Sequence, residues 1–346
     1  MPMYEEFVRA FRDTVLGGDL RTAEQLITTR FGGVNLRLRI GEDPAQPFVV
    51  GGWHITSATH SCLMLSANIP GHERADFALN RFGYTIPMLA AYHHAGAPMV
   101  GHVNISVEDH RVWPGLSFCH IESGALLPDP VFVSTGAYRD TQQHYEAHAL
   151  PWEERARVAF WRGSTTGRQH GLASWRDLPR VRLSEIARAL PDLFDVGISR
   201  VVGLEAHTEA LQEAGLMRDY LPESEYHRYR YQIDIDGNSN SWPGLFQKLL
   251  TGSPVLKVAS PFGFRQWFYD RLTPWVNYVP VSSDMSDLIE HVRWLAAHDA
   301  AARLIGEAGR QLALSMDCER EIQASVGTIC AALRWSGWAD FKRGLV

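Results

Sequence analysis

The chain has 346 residues, 45% of them hydrophobic and 21% charged, which suits two domains of ordinary globular composition. Its formal net charge of -6, with no strongly basic stretch to offset it, argues against a duplex nucleic-acid partner. No run of about eighteen apolar residues offers a membrane span, and the first residues lack signal-peptide text. Cys62, Cys119, Cys318 and Cys330 are scattered without a Cys-x-x-Cys, so the expectation is a cytoplasmic chain with reduced thiols.

Tyr4, Phe7, Phe11 and Val15 share one face of a helix that ends at Gly17-Gly18, and a second helix covers Leu20 to Ile27. Val34, Leu36, Leu38 and Ile40 alternate with Asn35, Arg37 and Arg39, a strand whose arginine face is solvated. Gly41 to Pro44 turns this strand, and Phe48 to Val50 reads as its partner. Phe77 to Ala95 is helical text interrupted at Pro87, and Met99 to Val107 is a buried strand. That strand runs into Glu108-Asp109-His110-Arg111, and open α/β sheets keep active-site groups just past a strand end. On the residues alone, a loop carboxylate capping the next element is the simpler reading. Asp129, between two prolines, is turn chemistry, and Phe132 to Tyr138 reads as loop and strand. His144 and His148 have a zinc-compatible spacing but no third ligand, and are read as exposed helix residues. Leu150-Pro151 followed by helical Trp152 to Arg155 marks a domain boundary.

The second half opens with a short strand, Arg157 to Arg162. The turn Gly163-Ser164-Thr165-Thr166-Gly167-Arg168 follows, whose hydroxyls, amides and arginines suit a diphosphate. Helix and strand text then alternates through Leu183–Leu190, Phe194–Ile198 and Thr208–Ala214, which points to a mainly parallel sheet. Tyr231, Ile233 and Ile235 alternate with Gln232, Asp234 and Asp236, the period of a strand with one buried face. Gly237 stops it, and Ser239, Asn240 and Ser241 are competent N-caps for a helix with Pro243 in its first turn. Leu245, Phe246, Leu249 and Leu250 give that helix an apolar stripe, and Val255 to Val258 is the next strand. A helix N-terminus at the carboxyl end of a buried strand is an anion site. Ser283 reads as the cap of a helix over Leu288 to Ala297, with Asp284 and Asp287 in its first turn. Asp299–Leu314 and Glu319–Trp335 are further helices.

The order Asp236-Gly-Asn238, Ser241-Trp, Gly252-Ser-Pro-Val-Leu-Lys257, Trp267-Phe-Tyr269, Leu272-Thr-Pro-Trp-Val-Asn-Tyr-Val-Pro-Val281 and Ser283-Asp-Met-Ser-Asp-Leu288 resembles glycosyltransferase family 90. That family includes eukaryotic protein O-glucosyltransferases, fungal capsule xylosyltransferases and bacterial lipopolysaccharide-modifying proteins, and this chain is similar to its bacterial type. The resemblance implies an α/β, GT-B-like fold: two Rossmann-like domains facing across a cleft. Residues 1–152 would form an acceptor-side domain, 153–318 a nucleotide-sugar domain, and 319–346 a C-terminal helix packing back on the first. In the Val107-Glu-Asp-His110 text, Asp109 stands where the eukaryotic members carry the aspartate taken as catalytic base, with Glu108 as its rival. Arg162, Gly163, Ser164 and Thr166 match the family's Phe-Arg-Gly-Ser-Arg-Thr motif; Thr165 replaces its second arginine, for which Arg168 stands in. The family's Ser-Phe-Arg is here Ser241-Trp-Pro-Gly244, so Lys248, Arg168 or the bare helix N-terminus would hold the phosphates. Asp236, Gly237, Asn238, Ser239, Asn240 and Ser241 complete the implied donor site.

What the resemblance implies is inverting transfer from a nucleotide sugar, a UDP-sugar above all, to the hydroxyl of a glycan, lipid-linked saccharide or protein. The implied setting is lipopolysaccharide or capsule synthesis, at most peripheral to the inner membrane. No cofactor is expected. Two alternatives stay open: a metal-dependent enzyme using Asp234-Ile-Asp236 as an Asp-x-Asp motif, and a non-catalytic sugar-nucleotide or glycan-binding protein.

Overall fold

The computed structural model describes residues 4–32, 34–41, 49–55, 60–66, 75–96, 100–107, 109, 115–119, 125–168 and 172–335. The expected turn over 42–44, and Phe48, Met99, Glu108, His110 and Arg111, lie outside these. The chain adopts the expected α/β class as two compact units. One is drawn from Met1–Ala137, Arg265–Trp267 and Asp317–Val346, the other from Tyr138–Phe264 and Phe268–Met316.

In the first unit, α1 (Glu5–Leu16) and α2 (Leu20–Phe31) pack together through Phe7, Phe11, Ala23 and Ile27. Asp19 caps α2 by accepting from the Thr22 amide. The sheet holds β1 (Asn35–Gly41), β2 (Val49–Ile55), β3 (His60–Ser66), β4 (Gly101–Ser106), β5 (Leu116–Ser117) and β6 (Ala125–Leu126), in the order β1-β3-β2-β4-β5-β6. Arg37 and Arg39 are exposed on β1, Arg37 paired with Glu24 of α2. The pairing expected between the first two strands is wrong. β3 lies between them, parallel to β1 and antiparallel to β2. The link from β2 to β3 is too short for the crossover that parallel neighbours need, so β2 turns back on β3 and the sheet is mixed.

The helical text around Pro87 divides earlier than the proline. α3 (Ala75–Gly83) ends before Tyr84-Thr85, and Pro87 sits in the first turn of α4 (Ile86–His94), where its missing N–H removes no bond. Phe132 to Tyr138 is not a strand: α5 (Pro130–Ser134) occupies it, because the Asp129 carboxylate accepts from the amides of Val131 and Phe132 and starts a helix. The C-terminal α12 (Cys318–Trp335) belongs to this unit and lies against α4.

The second unit starts at α6 (Arg139–His148) and is built on β7 (Ala156–Ser164), β8 (Phe194–Arg200), β9 (Tyr229–Asp234), β10 (Val255–Val258) and β11 (Val279–Val281). The sheet is five-stranded with order β11-β10-β9-β7-β8, and every pairing is parallel. Its helices are α7 (Pro179–Arg188), α8 (Thr208–Glu213), α9 (Trp242–Leu250), α10 (Leu288–Ala297) and α11 (Asp299–Ser315). Tyr231, Ile233 and Ile235 share a core with Leu256, Val258 and Val279. The expectation of one buried face fails on β9: Gln232 and Asp234 are also fully buried, because α9 covers their side of the sheet. The cap of α10 is Asp287 rather than Ser283, since Asp287 folds back to accept from the Ser282 amide and hydroxyl and delays the helix.

α11 approaches α9 closely because its facing residues are glycines. A Cβ on Gly306 would collide with the Gly252 carbonyl and stand 2.8 Å from the Pro254 nitrogen; one on Gly309 would be 2.8 Å from the Asn277 carbonyl oxygen. Backbone cannot yield as a side chain does. Gly306→Ala is therefore expected to cost about 1–3 kcal/mol, read as a lower urea midpoint; an unchanged midpoint would show that α11 shifts without loss.

Candidate functional site

The strand order of the second unit defines where a ligand would sit. The chain enters at β7, places β8 on one side and β9 on the other, so the direction of winding reverses between β7 and β9. Open parallel sheets bind ligands at that reversal, outside the carboxyl ends of the strands. Here the position is flanked by the loop after β7, starting at Ser164, and the loop from Ile235 to Ser241 that leads into α9.

α9 begins without a side-chain cap. Ser241 occupies the cap position, but its hydroxyl donates to Asp234 Oδ1 at 2.6 Å instead of serving the helix amides. Pro243 brings no N–H to this turn and the Gly244 N–H donates to the Ser241 carbonyl, so what the helix start offers an anion is chiefly the positive end of its dipole. Asp234 is the cause. It is fully buried and also accepts from Lys248 Nζ at 2.8 Å and Lys257 Nζ at 3.3 Å. Burial works to raise its pKa, but the two lysines outweigh it and hold the carboxyl far below its ordinary range. Burial likewise lowers Lys248, with Asp234 opposing. A Cβ on Gly244 would come 2.8 Å from the Ser241 hydroxyl and 3.3 Å from Lys248 Nζ, so the helix needs glycine there to admit the cluster.

Arg180, in the first turn of α7, joins the two loops. Its Nε donates to the Asp236 carbonyl at 2.9 Å and Nη2 to the Ile235 carbonyl at 3.3 Å. Nη1 donates to the Thr166 hydroxyl at 2.7 Å and the Ser164 carbonyl at 3.2 Å. A Cβ on Gly237 would stand 2.8 Å from Arg180 Nη2 and 2.9 Å from Thr166 Oγ1. Burial pushes the Arg180 pKa down to about 10, with Asp234 and Asp236 opposing. Sequence reasoning missed this residue. The expected helix began at Leu183, and only the Pro179-Arg180 pair, proline being favoured in a first helical turn, marked an earlier start.

Of the expected donor residues, Ser164, Thr166, Asp236 and Gly237 meet around Arg180. Arg168 lines a recess with Asp236, Gly237, Phe262 and Ser283, its guanidinium 4.8 Å from the Phe262 ring centre. Asn238 is half-buried, whereas Ser239 and Asn240 are buried. Two expectations need correction. Arg162 pairs with Asp195 and donates to the carbonyls of Trp161, Asp195 and Asp219, because its position on β7 aims it at β8 rather than at the loop. Lys248 lies beneath the helix start on Asp234, not out toward a phosphate. Gly163 allows the Trp161 ring to lie 2.6 Å from where its Cβ would be. Thr165, standing where the family carries its second arginine, is buried, exchanging hydrogen bonds with the backbone of Val202.

Asp109 belongs to the first unit. Arg81 of α3 donates to its Oδ1 at 2.9 Å and to the Val107 carbonyl at 2.8 Å, which fixes the carboxylate against the strand end. Asp129, also of the first unit, is buried and accepts from two amides and from Gln266 Nε2; burial nonetheless pushes it up to about 6. His148 is exposed and its ring stacks on His144, which donates to the Ser224 carbonyl. The four cysteines are free. Among the described residues no helix is long and apolar enough to cross a membrane.

An all-parallel unit with an uncapped helix N-terminus at its winding reversal belongs to the class of α/β domains that bind ligands at the strand ends. The chain is a member of glycosyl transferase family 90, whose model matches residues 131–320, more than half its length. Protein O-glucosyltransferase 2 of Danio rerio is 29% identical over 188 residues, covering 54% of this chain and 34% of that protein. Protein O-glucosyltransferase 3 of Homo sapiens is 30% identical over 164 residues, covering 47% of this chain and 29% of that one. Uncharacterized protein 035R of Invertebrate iridescent virus 3 is 30% identical over 217 residues, 57% of this chain and 19% of the viral protein. The matches thus span about a third or less of these relatives' own length.

Asp234 supplies a pH test of the cluster. Its folded-state pKa is depressed, so its stabilisation is present above the ordinary value of 3.8 and is lost as pH falls through and below it. Lys248→Met should lower stability by about 3–5 kcal/mol at pH 7, because it breaks a buried pair. In urea unfolding the gap between the two proteins should start to narrow below about pH 3.8 and keep narrowing as pH falls further. A deficit that stays constant with pH would assign the loss to packing instead.

Proposed function

We propose that the chain is an inverting glycosyltransferase that moves a sugar from a UDP-sugar to an acceptor hydroxyl. The observation that carries this is the uncapped start of α9 at the winding reversal, inside the span that matches family 90. The diphosphate of a nucleotide sugar would lie at the start of α9, against the positive end of its dipole and beside the recess that Arg168 lines. As the bond from the anomeric carbon to the diphosphate breaks, the charge left on the diphosphate would be met by the helix dipole and by the guanidinium.

Asp109 is the proposed base. It would take the proton of the acceptor hydroxyl as that oxygen attacks the anomeric carbon on the face opposite the diphosphate. Its ion pair with Arg81 holds the carboxylate in one orientation. The proposed acceptor class is a glycan, a lipid-linked saccharide or a protein hydroxyl, in lipopolysaccharide or capsule synthesis at the cytoplasmic side of a membrane. The two α/β units supply the parts of a GT-B arrangement. The competing Asp-x-Asp reading is weakened by Asp234, where a divalent ion would have to displace two ammonium groups.

Nucleotide release from UDP-sugars, with and without acceptor, tests the proposal, and no turnover with any donor would leave a binding protein. Asp109→Asn should keep donor affinity while lowering transfer by about 10²- to 10⁴-fold; transfer within a few-fold of the unaltered chain would remove Asp109 from the role. Turnover is also expected to survive excess EDTA. Its loss, restored by manganese, would move the assignment to Asp234 and Asp236.

A further inference from the structure

The loop between β9 and α9 buries polar atoms that the protein itself does not satisfy. Asp236 is 7% exposed and Asn240 5%. Neither oxygen of the Asp236 carboxylate meets a donor in good geometry, and neither amide atom of the Asn240 side chain has a partner. Buried side-chain polar atoms are overwhelmingly paired in folded proteins, and each one left alone costs about 1–3 kcal/mol. Four such atoms on one short loop, at the position where the sheet would take a ligand, call for a ligand that pairs them.

The chemistry of the four atoms narrows that ligand. A carboxylate only accepts, whereas an amide side chain both donates and accepts. A phosphate would suit the Asn240 Nδ2 but repel Asp236; a cation would suit Asp236 and leave Nδ2 alone. A hydroxyl donates and accepts at once. We propose that Asp236 and Asn240 form the hydroxyl-reading part of the donor site, binding neighbouring hydroxyls of a sugar ring carried by the nucleotide sugar. This rests on the donor-site reading above and deepens it: α9 takes the diphosphate, and the loop before it takes the ring. Asp236 lines the recess whose wall includes Pro261 and the partly exposed Phe262.

The protonation of Asp236 gives the inference a signature. Burial raises its pKa to about 6, against the pull of Lys257 and Ser260; Asp234 adds to the rise, and Arg180 opposes it. The other charged groups around it are Lys248, held on Asp234, and Arg168 in the recess, while Tyr269 sits on Lys257. The ionised carboxylate is the form that accepts from hydroxyls, so affinity should fall as pH drops below about 6 in the intact chain.

The test is calorimetry on the full chain with UDP-glucose, UDP, and 2′- and 3′-deoxy-UDP at several pH values. Asp236→Asn should weaken UDP-glucose roughly 10- to 100-fold and flatten the pH dependence, and Asn240→Ala should weaken it in the same direction. Equal loss for UDP, with the deoxy compounds losing no further affinity in the variant, places the pair on the ribose. Loss confined to UDP-glucose places it on the transferred sugar. Thermal melting checks that the variants fold, and Asn240→Ala answers alone if Asp236→Asn does not. An intact chain that binds no nucleotide sugar overturns this inference together with the donor-site reading. Binding by the intact chain with both variants unchanged overturns this inference alone.

Discussion

A single carboxylate, Asp234, is buried without any exposure near the end of β9, and much of the second unit is arranged to make that tolerable. An unpaired buried charge would be strongly destabilising. Two lysines, one from α9 and one from β10, and the Ser241 hydroxyl converge on it. The consequences spread along the chain. Ser241 is diverted from capping α9, Gly244 must lack a side chain, and Lys248 is drawn beneath the helix it belongs to. The open helix terminus follows from the way the carboxylate is neutralised.

The same arrangement explains what was readable in the sequence. The strand-helix-strand order from Tyr231 to Val258 was legible because periodicity and punctuation agree there: alternation, a glycine stop, proline in a first turn, an apolar stripe. The environment of the polar half of β9 was not. Gln232 and Asp234 have the pattern of a solvated face, and alternation reports only that two faces differ, not that one meets water. Whether a lysine such as Lys248 reaches a ligand or a buried carboxylate depends on a partner fourteen positions away. Strand order in the first unit was hidden for a related reason. The text of β1 and β2 carries no record that β3, which has no clear alternation of its own, lies between them.

Motif matching singled out the loop after β7 together with Arg162, whose guanidinium faces away from that loop. Arg162 sits inside the strand, and side chains along a strand alternate between faces. Its neighbour across the ladder is Gly197 of β8, so its guanidinium reaches Asp195 on that strand and the Asp219 carbonyl. Arg180 carries no motif, yet it is the residue that binds Thr166 to Asp236. Its importance comes from where the first turn of α7 falls relative to two loops, which is a property of the assembled sheet rather than of local text.

Arg162 is neutralised by Asp195, and Lys248 and Lys257 share Asp234. The hydrogen bonds of Arg180 go to carbonyl and hydroxyl oxygens, which are dipoles and do not cancel a unit charge. A buried guanidinium so placed is destabilised, as the fall of its pKa to about 10 records, and the carboxylates near it offset this only in part. Two lysines against Asp234, with Arg180 beside them, leave the floor of the proposed diphosphate site net positive even when Asp236 is ionised. That field acts on the same side as the positive end of the α9 dipole, and in a poorly screened interior it extends over several ångströms. An anion in the proposed site would be stabilised by charges it need not touch, so the positive field, rather than direct contact with an arginine, would do much of the work of holding it.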